Sequence, residues 1–422
     1  MYKAPRGTVD ILPEEQPYWR HIQQTAAALC QLYGYEKIDT PVFEDTGLFQ
    51  RSVGPSSDIV QKEMYTFNDL GGGSLTLRPE GTAPVCRAYL EHGLQNRPQP
   101  VRMFYLAAIF RYERPQAGRF RQHHQFGFEA IGDGHPDVDV EVISLAWQLF
   151  ERLGLKDLKL HVNSIGCKKC RPGYHQALRE YYSRTEHLDR LCHDCEGRLE
   201  RNPLRLLDCK QPTCQTIAEA APRSVAHLCE ECAAHFELLK KYLNAAGLPF
   251  DINHRLVRGL DYYTRTVFEI QPLIEGGQNT IGGGGRYDDL LEELGGQPAP
   301  AVGFATGIER IILNLKRQGV SVPPLPHPEV WLVHQGEGAR EAALKLAKTL
   351  RLAGIGVIEA PSGKSMKAQL RQASALGAKQ VAILGEAELA VGTVMLRDMT
   401  KAEQTSVKQD ELANTLLNLS DR

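Results

Sequence analysis

Residues 110–132 read FRYERPQAGRFRQHHQFGFEAIG. At strand spacing, the side chains of Arg111 and Glu113 are expected on one face of the chain. A basic loop then leads to a second alternating run, in which Gln125 and Glu129 put polar groups on one side of a returning strand. The stretch predicts an antiparallel hairpin with a cationic tip, which suits a phosphate held between arginines and a carboxylate. An ordinary exposed hairpin with solvated charges explains a lone FRxE match more often, because short motifs occur by chance.

The composition indicates a folded protein and excludes several classes. The chain has 422 residues, of which 42% are hydrophobic and 24% charged, with a net charge of -2. These values exclude a disordered or collagen-like chain and give no general electrostatic attraction to nucleic acid. Any RNA contact must therefore come from local basic patches such as the hairpin tip. We expect a cytoplasmic protein without a membrane span, because neither a signal peptide nor an apolar run of about 18 residues is evident.

Patterns along the chain predict an α+β fold with an antiparallel sheet and flanking helices, because helices and strands do not alternate regularly in its first part. The predicted helices are 17–33, 83–92 and 138–153, and the predicted strands include 35–38, 74–78, 101–109 and 267–270. A stiff, proline-rich run at 321–328 marks a domain boundary. Regular alternation beyond it predicts a small α/β domain. The predicted domains are 1–325 and 329–422.

Cysteines concentrate in one part of the chain. Eight of the ten lie within a helical, cysteine-rich segment at about 165–247, which interrupts the first domain. They are Cys167, Cys170, Cys192, Cys195, Cys209, Cys214, Cys229 and Cys232. CxxC turns separated by about twenty residues are typical of structural zinc sites. A metal-free insertion with reduced thiols and a redox-sensitive surface are the alternatives.

Two glycine-containing segments follow the insertion. Residues 303–310 read GFATGIER and predict a strand that leads into a helix presenting Glu309 and Arg310. Small residues there let a ligand approach the backbone, and an arginine can stack on a base or hold a phosphate. Tight packing between strand and helix would explain the glycines about as well. Residues 281–295 read IGGGGRYDDLLEELG, where we expect the glycines to open a helix.

Together, the segment around Pro41, the FRYE hairpin and GFATGIER resemble motifs one, two and three of the class II aminoacyl-tRNA synthetases. LRPEGTA at 77–83, RGLDYYT at 258–264 and GGGGRYD at 282–288 are similar to signature peptides of the histidyl-tRNA synthetase family. The similarity extends over nearly the whole chain. It implies the class II antiparallel sheet, histidine–tRNA ligation and a C-terminal anticodon-binding domain.

The resemblance also implies a histidine pocket. Its residues would be Glu80, Gly81, Thr82, Gln125, Glu129, Tyr262, Tyr263 and Tyr287. Glu80, Thr82 and Gln125 would bind the α-amino group. Glu129 and Tyr263 would read the imidazole, because a carboxylate and a tyrosine hydroxyl can satisfy its two ring nitrogens. A structural hydrogen bond is the alternative for any one of these side chains.

For the reaction itself, the resemblance implies three arginines around ATP. Arg111 would hold the α-phosphate, Arg258 would bridge the substrate carboxylate and that phosphate, and Arg310 would hold the outer phosphates. Glu113 would contact the adenine side, and Mg²⁺ would neutralise the β- and γ-phosphates. Gln116 and Arg119 would meet the acceptor end of a histidine tRNA. The motif-one resemblance further implies a homodimer.

Two other functions use the same scaffold. The regulatory subunit of ATP phosphoribosyltransferase is a non-catalytic paralogue that senses histidine. Such paralogues commonly lose RGLDYY, the motif-two arginine or the C-terminal domain, all of which this sequence has. The cysteine-rich segment could instead indicate a zinc-dependent RNA-binding protein. The presence of Arg111, Glu113, Arg258 and Arg310 disfavours that function.

Overall fold

The computed structural model describes residues 2–54, 57, 59–114, 118–273, 280–328 and 330–420. Their contacts divide the chain into two compact units, Met1–Pro323 and Pro324–Arg422. Among these residues, every helix is too short or too polar to cross a lipid bilayer.

The first unit contains eleven strands among the residues described. They are β1 Glu36–Lys37, β2 Phe43–Asp45, β3 Tyr65–Asn68, β4 Ser74–Leu77, β5 Val101–Phe110, β6 Gln122–Ile131, β7 Leu158–Ser164, β8 Asp251–Ile252, β9 Thr264–Pro272, β10 Gly282–Arg286 and β11 Ala301–Gly307. Eight of them form one sheet in the order β1-β5-β6-β11-β10-β9-β7-β8, and β2-β4-β3 form a small antiparallel sheet. The six inner strands of the large sheet are antiparallel, while β1 and β8 pair in parallel at its edges. This confirms the predicted fold class.

Helices pack around this sheet and form the cysteine-rich segment. They are α1 Gln16–Leu32, α2 Thr46–Ser52, α3 Thr82–Glu91, α4 Pro136–Arg152, α5 Arg171–Tyr182, α6 Thr185–Leu188, α7 His193–Arg201, α8 Pro212–Glu219, α9 Glu230–Ala245, α10 Leu290–Glu293 and α11 Ile308–Arg317. Short turns of other helix types lie at Ile59–Glu63, Leu94–Asn96, Pro203–Leu206 and Ser224–His227. Helices α5 to α9 lie between β7 and β8, which are neighbours in the large sheet.

The predicted hairpin is present as β5 and β6, which pair from Val101 with Ile131 to Phe110 with Gln122. Arg111 and Glu113 were expected to continue the first strand, and this detail is wrong. The strand ends at Phe110, because only Arg111 N still bonds to the opposite strand segment and Tyr112 N turns to another partner. Arg111 N donates to Arg121 O over 2.9 Å, and Tyr112 N donates to Glu63 O over 2.7 Å.

The large sheet has one apolar and one polar face. Phe126 and Phe128 of β6 are fully buried in a core that also contains Phe268 and Phe304 and that is covered by α1, α4 and α11. The intervening residues of β6 point the other way because successive side chains of a strand alternate. That alternation places Gln125 and Glu129 among the residues lining a cavity on the opposite face.

The sequence pattern predicted that the run of glycines opens a helix, and this prediction is wrong. Residues 282–286 form the buried strand β10 between β9 and β11, and the following helix has only four residues. A Cβ atom at Gly284 would lie 1.9 Å from the backbone oxygen of Gly303 on the next strand. The glycines therefore permit a close approach of strands that any side chain would block.

A buried ion pair joins the end of β10 to the start of α4. Arg286 and Asp139 are both fully buried, and the Arg286 guanidinium lies 2.6 Å from the Asp139 carboxylate. Arg286 also donates to the backbone oxygens of Asp133 and His135 over 3.0 and 2.9 Å. These bonds fix the helix that covers the apolar face of the sheet.

The second unit contains its own sheet of five strands. These are β12 Val330–His334, β13 Val357–Glu359, β14 Gln380–Leu384, β15 Thr393–Asp398 and β16 Gln404–Lys408, in the order β13-β12-β14-β15-β16. Its helices are α12 Glu337–Leu352, α13 Met366–Ala375, α14 Glu386–Ala390 and α15 Leu412–Ser420. Strand β12 is parallel to both neighbours, whereas β15 and β16 are added antiparallel. The predicted strand and helix alternation is thus confirmed up to β14.

Replacing Asp139 by Asn should destabilise the first unit strongly, because the buried Arg286 would lose its fully buried counter-ion and keep only the partly exposed Asp288 at 3.2 Å. We expect the free energy of unfolding to fall by about 3–5 kcal/mol, measured by urea denaturation followed by circular dichroism. Asp39→Asn is the matched control, since the pair of Lys37 and Asp39 at 2.8 Å is largely exposed. It should change the free energy by less than about 1 kcal/mol. Equal effects of the two substitutions would contradict the structural importance of the buried pair.

Candidate active site

Two adjoining cavities lie in the first unit on the polar face of the large sheet. The larger has a volume of about 790 Å³ and the smaller about 140 Å³. Arg111, Arg258 and Gln125 line both cavities, and Arg310 lines the larger one. Three arginines that are far apart in the sequence therefore meet around one space.

Glu129 is the central polar group of the smaller cavity. It accepts a hydrogen bond from the Thr82 hydroxyl over 2.8 Å and one from the Tyr287 hydroxyl over 2.5 Å. Burial raises the pKa of Glu129 to about 8. A Cβ atom at Gly303 would lie only 1.6 Å from its carboxylate, so the absence of a side chain there leaves space for Glu129.

Glu80 fixes the start of α3 beside Glu129. Its two carboxylate oxygens accept from the backbone N–H groups of Thr82 and Ala83 over 2.6 and 2.8 Å. Burial raises the pKa of Glu80, although these two hydrogen bonds act in the opposite direction. The carboxylate thus orders the backbone that carries the Thr82 hydroxyl to Glu129.

Three tyrosines form another wall of the smaller cavity. The rings of Tyr262 and Tyr263 have their centroids 4.7 Å apart, and those of Tyr262 and Tyr287 are 5.6 Å apart. All three side chains are buried, and all three line the cavity. The Arg258 guanidinium lies 5.9 Å from the Tyr263 ring centroid.

Gln125 and Gly81 differ in their relation to this cavity. Gln125 lines it, and its side-chain oxygen is buried without a hydrogen-bond partner among the residues described. Such an acceptor is suited to a donor from a ligand. Gly81 is not among the lining residues. A Cβ atom at this position would lie 2.3 Å from the Tyr105 ring, so Gly81 is needed for packing behind the cavity.

Arg111, Arg258 and Arg310 are each held by different acceptors. Arg258 forms an ion pair with Glu269 of β9. Arg111 donates from Nε to Pro79 O over 2.7 Å, and Arg310 donates from Nη1 to Thr280 O over 3.0 Å. Burial acts to lower the pKa of Arg258, but Glu269 outweighs it and the pKa is raised.

Glu113 lies among cations at the edge of the larger cavity. Its carboxylate is 3.3 Å from Arg119 and 3.8 Å from Arg111. Arg119 also lines the cavity, so both residues of the hairpin tip face the site. Gln116, the other predicted tRNA contact, lies outside the described residues.

Several lining residues of the larger cavity were not predicted. Glu269 and His123 lie on β9 and β6, and Asp208 and Lys210 come from the cysteine-rich segment. Burial, followed by Arg111, lowers the pKa of His123 to about 3, so its imidazole is neutral. Alternation along β6 from Gln125 could have indicated His123. Asp208 and Lys210 had no comparable signal, because their placement depends on the fold of the insertion.

The eight cysteines form two groups of four. Cys167, Cys170, Cys229 and Cys232 make the first cluster, and Cys192, Cys195, Cys209 and Cys214 make the second. In each, the sulfur atoms lie within 4.8 Å of one another, and all eight cysteines are free thiols. The spacing of about twenty residues favoured neighbouring CxxC turns as partners. The structure instead brings the first turn to the last, because β7 and β8 hold the two ends of the insertion together.

Comparison with known proteins agrees with this geometry. The family described as histidyl-tRNA synthetase matches residues 7–311, and the anticodon binding domain family matches residues 329–419. A histidine–tRNA ligase of Dehalococcoides mccartyi is 61% identical over 412 residues, which are 98% of each chain. One from Desulforamulus reducens is 50% identical over 408 residues, or 97% of each chain.

A solved structure shows the same likeness. The apo histidyl-tRNA synthetase of S. aureus superposes with a TM-score of 0.82 at 38% identity and covers 98% of this chain and 99% of its own. Sequence and structure thus favour a ligase over the paralogous regulatory subunit. The chain belongs to the histidyl-tRNA synthetase family of aminoacyl-tRNA ligases.

Proposed function

We propose that the two cavities carry out histidine activation with the residues that line them. The carboxylate of L-histidine attacks the α-phosphorus of ATP, which yields histidyl-adenylate and releases pyrophosphate. Histidine is then transferred to the 3′ end of a histidine tRNA. The observation that supports this proposal is the convergence of Arg111, Arg258 and Arg310 on a cavity that adjoins a smaller pocket of carboxylates and tyrosines.

The smaller cavity is the proposed histidine pocket. Glu129 accepts from one imidazole N–H, while Thr82 and Tyr287 hold its carboxylate in place. Tyr263 satisfies the second ring nitrogen and Tyr262 packs against the ligand. The unpartnered oxygen of Gln125 accepts from the α-ammonium group, next to Glu80 and Thr82. An amino acid without the ring nitrogens would leave these buried groups unpaired, which gives strong selectivity.

The larger cavity is the proposed ATP site. Negative charge develops on the phosphate oxygens as the substrate carboxylate attacks. Fixed guanidinium groups stabilise this charge without reorganising. Arg258 lines both cavities and therefore acts between the substrate carboxylate and the α-phosphate, with Arg111 on that same phosphate. Arg310 holds the outer phosphates, and Glu113 contacts the adenine side.

We assign Mg²⁺ to the same cavity. Mg²⁺ prefers oxygen ligands, and the Glu269 carboxylate on the cavity wall fits that preference. When bound, the ion would neutralise the β- and γ-phosphates. The arginines orient the α-phosphate independently of it.

Transfer to tRNA uses the hairpin tip and the second unit. Gln116 and Arg119 contact the acceptor end, and the unit that begins at Pro324 reads the anticodon. Support comes from Arg119 at the cavity and from the family match of residues 329–419. The working protein is a homodimer in the cytoplasm, as the motif-one resemblance and the role in translation imply.

Each cysteine cluster is a proposed structural zinc site. Tetrahedral zinc with Zn–S distances of about 2.3 Å needs sulfur atoms about 3.8 Å apart. The Sγ atom of Cys167 lies 3.8 Å from the Sγ atoms of Cys170 and Cys229. The Sγ atoms of Cys192 and Cys209 are also 3.8 Å apart. The thiol donors and their spacing thus both fit zinc.

Arg258→Ala should reduce histidine-dependent ATP–pyrophosphate exchange by about 10²–10³-fold, since a preorganised donor to the transition state is lost. The variant should still fold, although its free energy of unfolding should fall because Glu269 would lose the partner of its ion pair. Arg97→Ala is the control, because Arg97 forms an exposed pair with Glu36 at 3.6 Å outside both cavities. Exchange within a factor of about two for Arg258→Ala would overturn the role of this arginine.

Glu129→Gln should raise the KM for histidine by more than about tenfold and leave the KM for ATP unchanged, because an amide cannot replace all the carboxylate's acceptor positions. Exchange rates at varied histidine and ATP concentrations measure both constants. Equal increases in the two KM values would argue against a specific contact with histidine.

The same variant has a pH signature. Because burial raises the pKa of Glu129 from 4.5 to about 8, the folded protein keeps a proton that the unfolded chain releases. Stability of the unsubstituted protein should therefore fall relative to Glu129→Gln as the pH rises through this range and level off above it. Urea denaturation of both proteins at several pH values tests this, and a difference independent of pH would contradict the raised pKa.

Metal analysis should find two zinc ions per chain, one for each cluster. Cys195→Ser should lose one of them and lower the melting temperature, because a structural site contributes to folding. Cys30→Ser is the control, since Cys30 is buried outside both clusters, and it should retain both ions. A purified protein without zinc that melts identically after chelation would exclude the two sites.

A further inference from the structure

The insertion contacts the loop that carries Arg258, which comprises residues 258–263 and is here called the arginine loop. Asn202 donates from Nδ2 to the Asp261 carboxylate over 2.9 Å, and Arg171 donates to the backbone oxygen of Tyr263. The Arg205 side chain packs against Gly259: a Cβ atom added to this glycine would lie 3.4 Å from Nη1 of Arg205. The insertion therefore touches this loop near its start, in its middle and at its end.

These contacting residues are tied to the cysteine clusters. Arg171 directly follows Cys170 of the first cluster. Asn202 lies between Cys195 and Cys209 of the second cluster, at the junction of α7 and the turn Pro203–Leu206. The second cluster joins the two ends of the segment 192–214, since Cys192 N donates to Cys214 Sγ over 3.3 Å. A fixed scaffold therefore presents Asn202 to the loop.

The rest of the first unit holds the two ends of the arginine loop, through the ion pair of Arg258 and the buried rings of Tyr262 and Tyr263. Asp261 N donates to Val53 O at a long distance of 3.4 Å, and Gly259 is exposed. The Arg258–Glu269 pair joins two side chains and does not involve the loop backbone. Asn202 is partly buried, and its side-chain oxygen has no partner among the described residues. Its amide nitrogen donates to Asp261, which is three residues from Arg258.

We propose that Asn202 is a positioning residue, through which the cysteine-rich insertion holds the arginine loop and aims Arg258 at the boundary between the two cavities. The inference rests on the catalytic role proposed for Arg258. An insertion so placed takes part in the first chemical step, in addition to any contact with tRNA. A guanidinium displaced by about 1 Å loses much of its effect, because transition-state contacts depend steeply on geometry.

Asn202→Ala tests this inference. We expect the kcat of ATP–pyrophosphate exchange to fall about tenfold with little change in the KM for ATP, since Arg258 acts mainly in the transition state. Zinc content and melting temperature should stay those of the unsubstituted protein. Arg201→Ala is the matched control on the preceding residue, whose exposed side chain contacts Gln61 at 3.4 Å and not the arginine loop. It should leave kcat unchanged.

A double-substitution cycle adds a test from the loop side, where the fold of the insertion is not affected. Asp261→Ala removes this hydrogen bond together with the other interactions of Asp261, such as its attraction for Arg171, so it should lose at least as much activity as Asn202→Ala. The double variant should lose little more than Asp261→Ala alone, because the shared hydrogen bond is already gone. Asp261→Asn keeps an acceptor oxygen for Asn202 and should retain most of the activity.

The outcomes separate this inference from the role of Arg258. Normal exchange in Asn202→Ala, or losses that multiply in the double variant, would overturn the positioning role even if Arg258→Ala is inactive. A drop in zinc content or melting temperature that accounts for the lost activity would also overturn it, since Asn202 would then be merely structural. Normal exchange in Arg258→Ala would instead remove the proposed function of the arginine itself.

Discussion

Three like charges held around one cavity are the central constraint of this structure. Arg111, Arg258 and Arg310 would disperse in a flexible chain, because guanidinium groups repel one another and are strongly hydrated. Each is retained by different acceptors: a backbone oxygen of Pro79, the Glu269 carboxylate and a backbone oxygen of Thr280. Burial and then Arg119 lower the pKa of Arg310, and Glu113 offsets only part of this effect, so a cost of gathering positive charge remains. A polyphosphate would relieve it.

The antiparallel sheet holds these charges in place because its two faces have different roles. Phenylalanines on one face form the core with the helices, so the strands are rigid. The opposite face can then carry polar groups and glycines without loss of the fold. A Cβ atom at Gly283 would lie 2.8 Å from the Arg258 guanidinium. The arginine therefore packs directly against the glycine backbone of β10. Rigidity on one face thus supports preorganised charge on the other.

The insertion adds a second layer of support from outside the sheet. It contributes Asp208 and Lys210 to the larger cavity and contacts the loop that bears Arg258. Short helices and turns pack poorly by themselves, and a metal ion held by each of its two cysteine clusters would add cross-links that a small core cannot. The distribution of cysteines is therefore understandable from the position of the insertion beside the reacting groups.

The sequence by itself determined the class of fold, the hairpin and the strand-to-helix segment that ends in Arg310, because alternation and short motifs are local properties. The family resemblance indicated seven of the residues that line the smaller cavity, but it also included Gly81, which does not line it. The sequence pattern misjudged residues 282–285, where glycine suggested a helix start and close strand packing decided otherwise. It also did not reveal which cysteines group together or that Asn202 reaches Asp261. Those pairings join residues that are far apart in the chain, such as Cys167 and Cys229, which are separated by 62 positions. Only the tertiary structure decided them, since loop closure over such distances depends on where the sheet places the ends of the insertion.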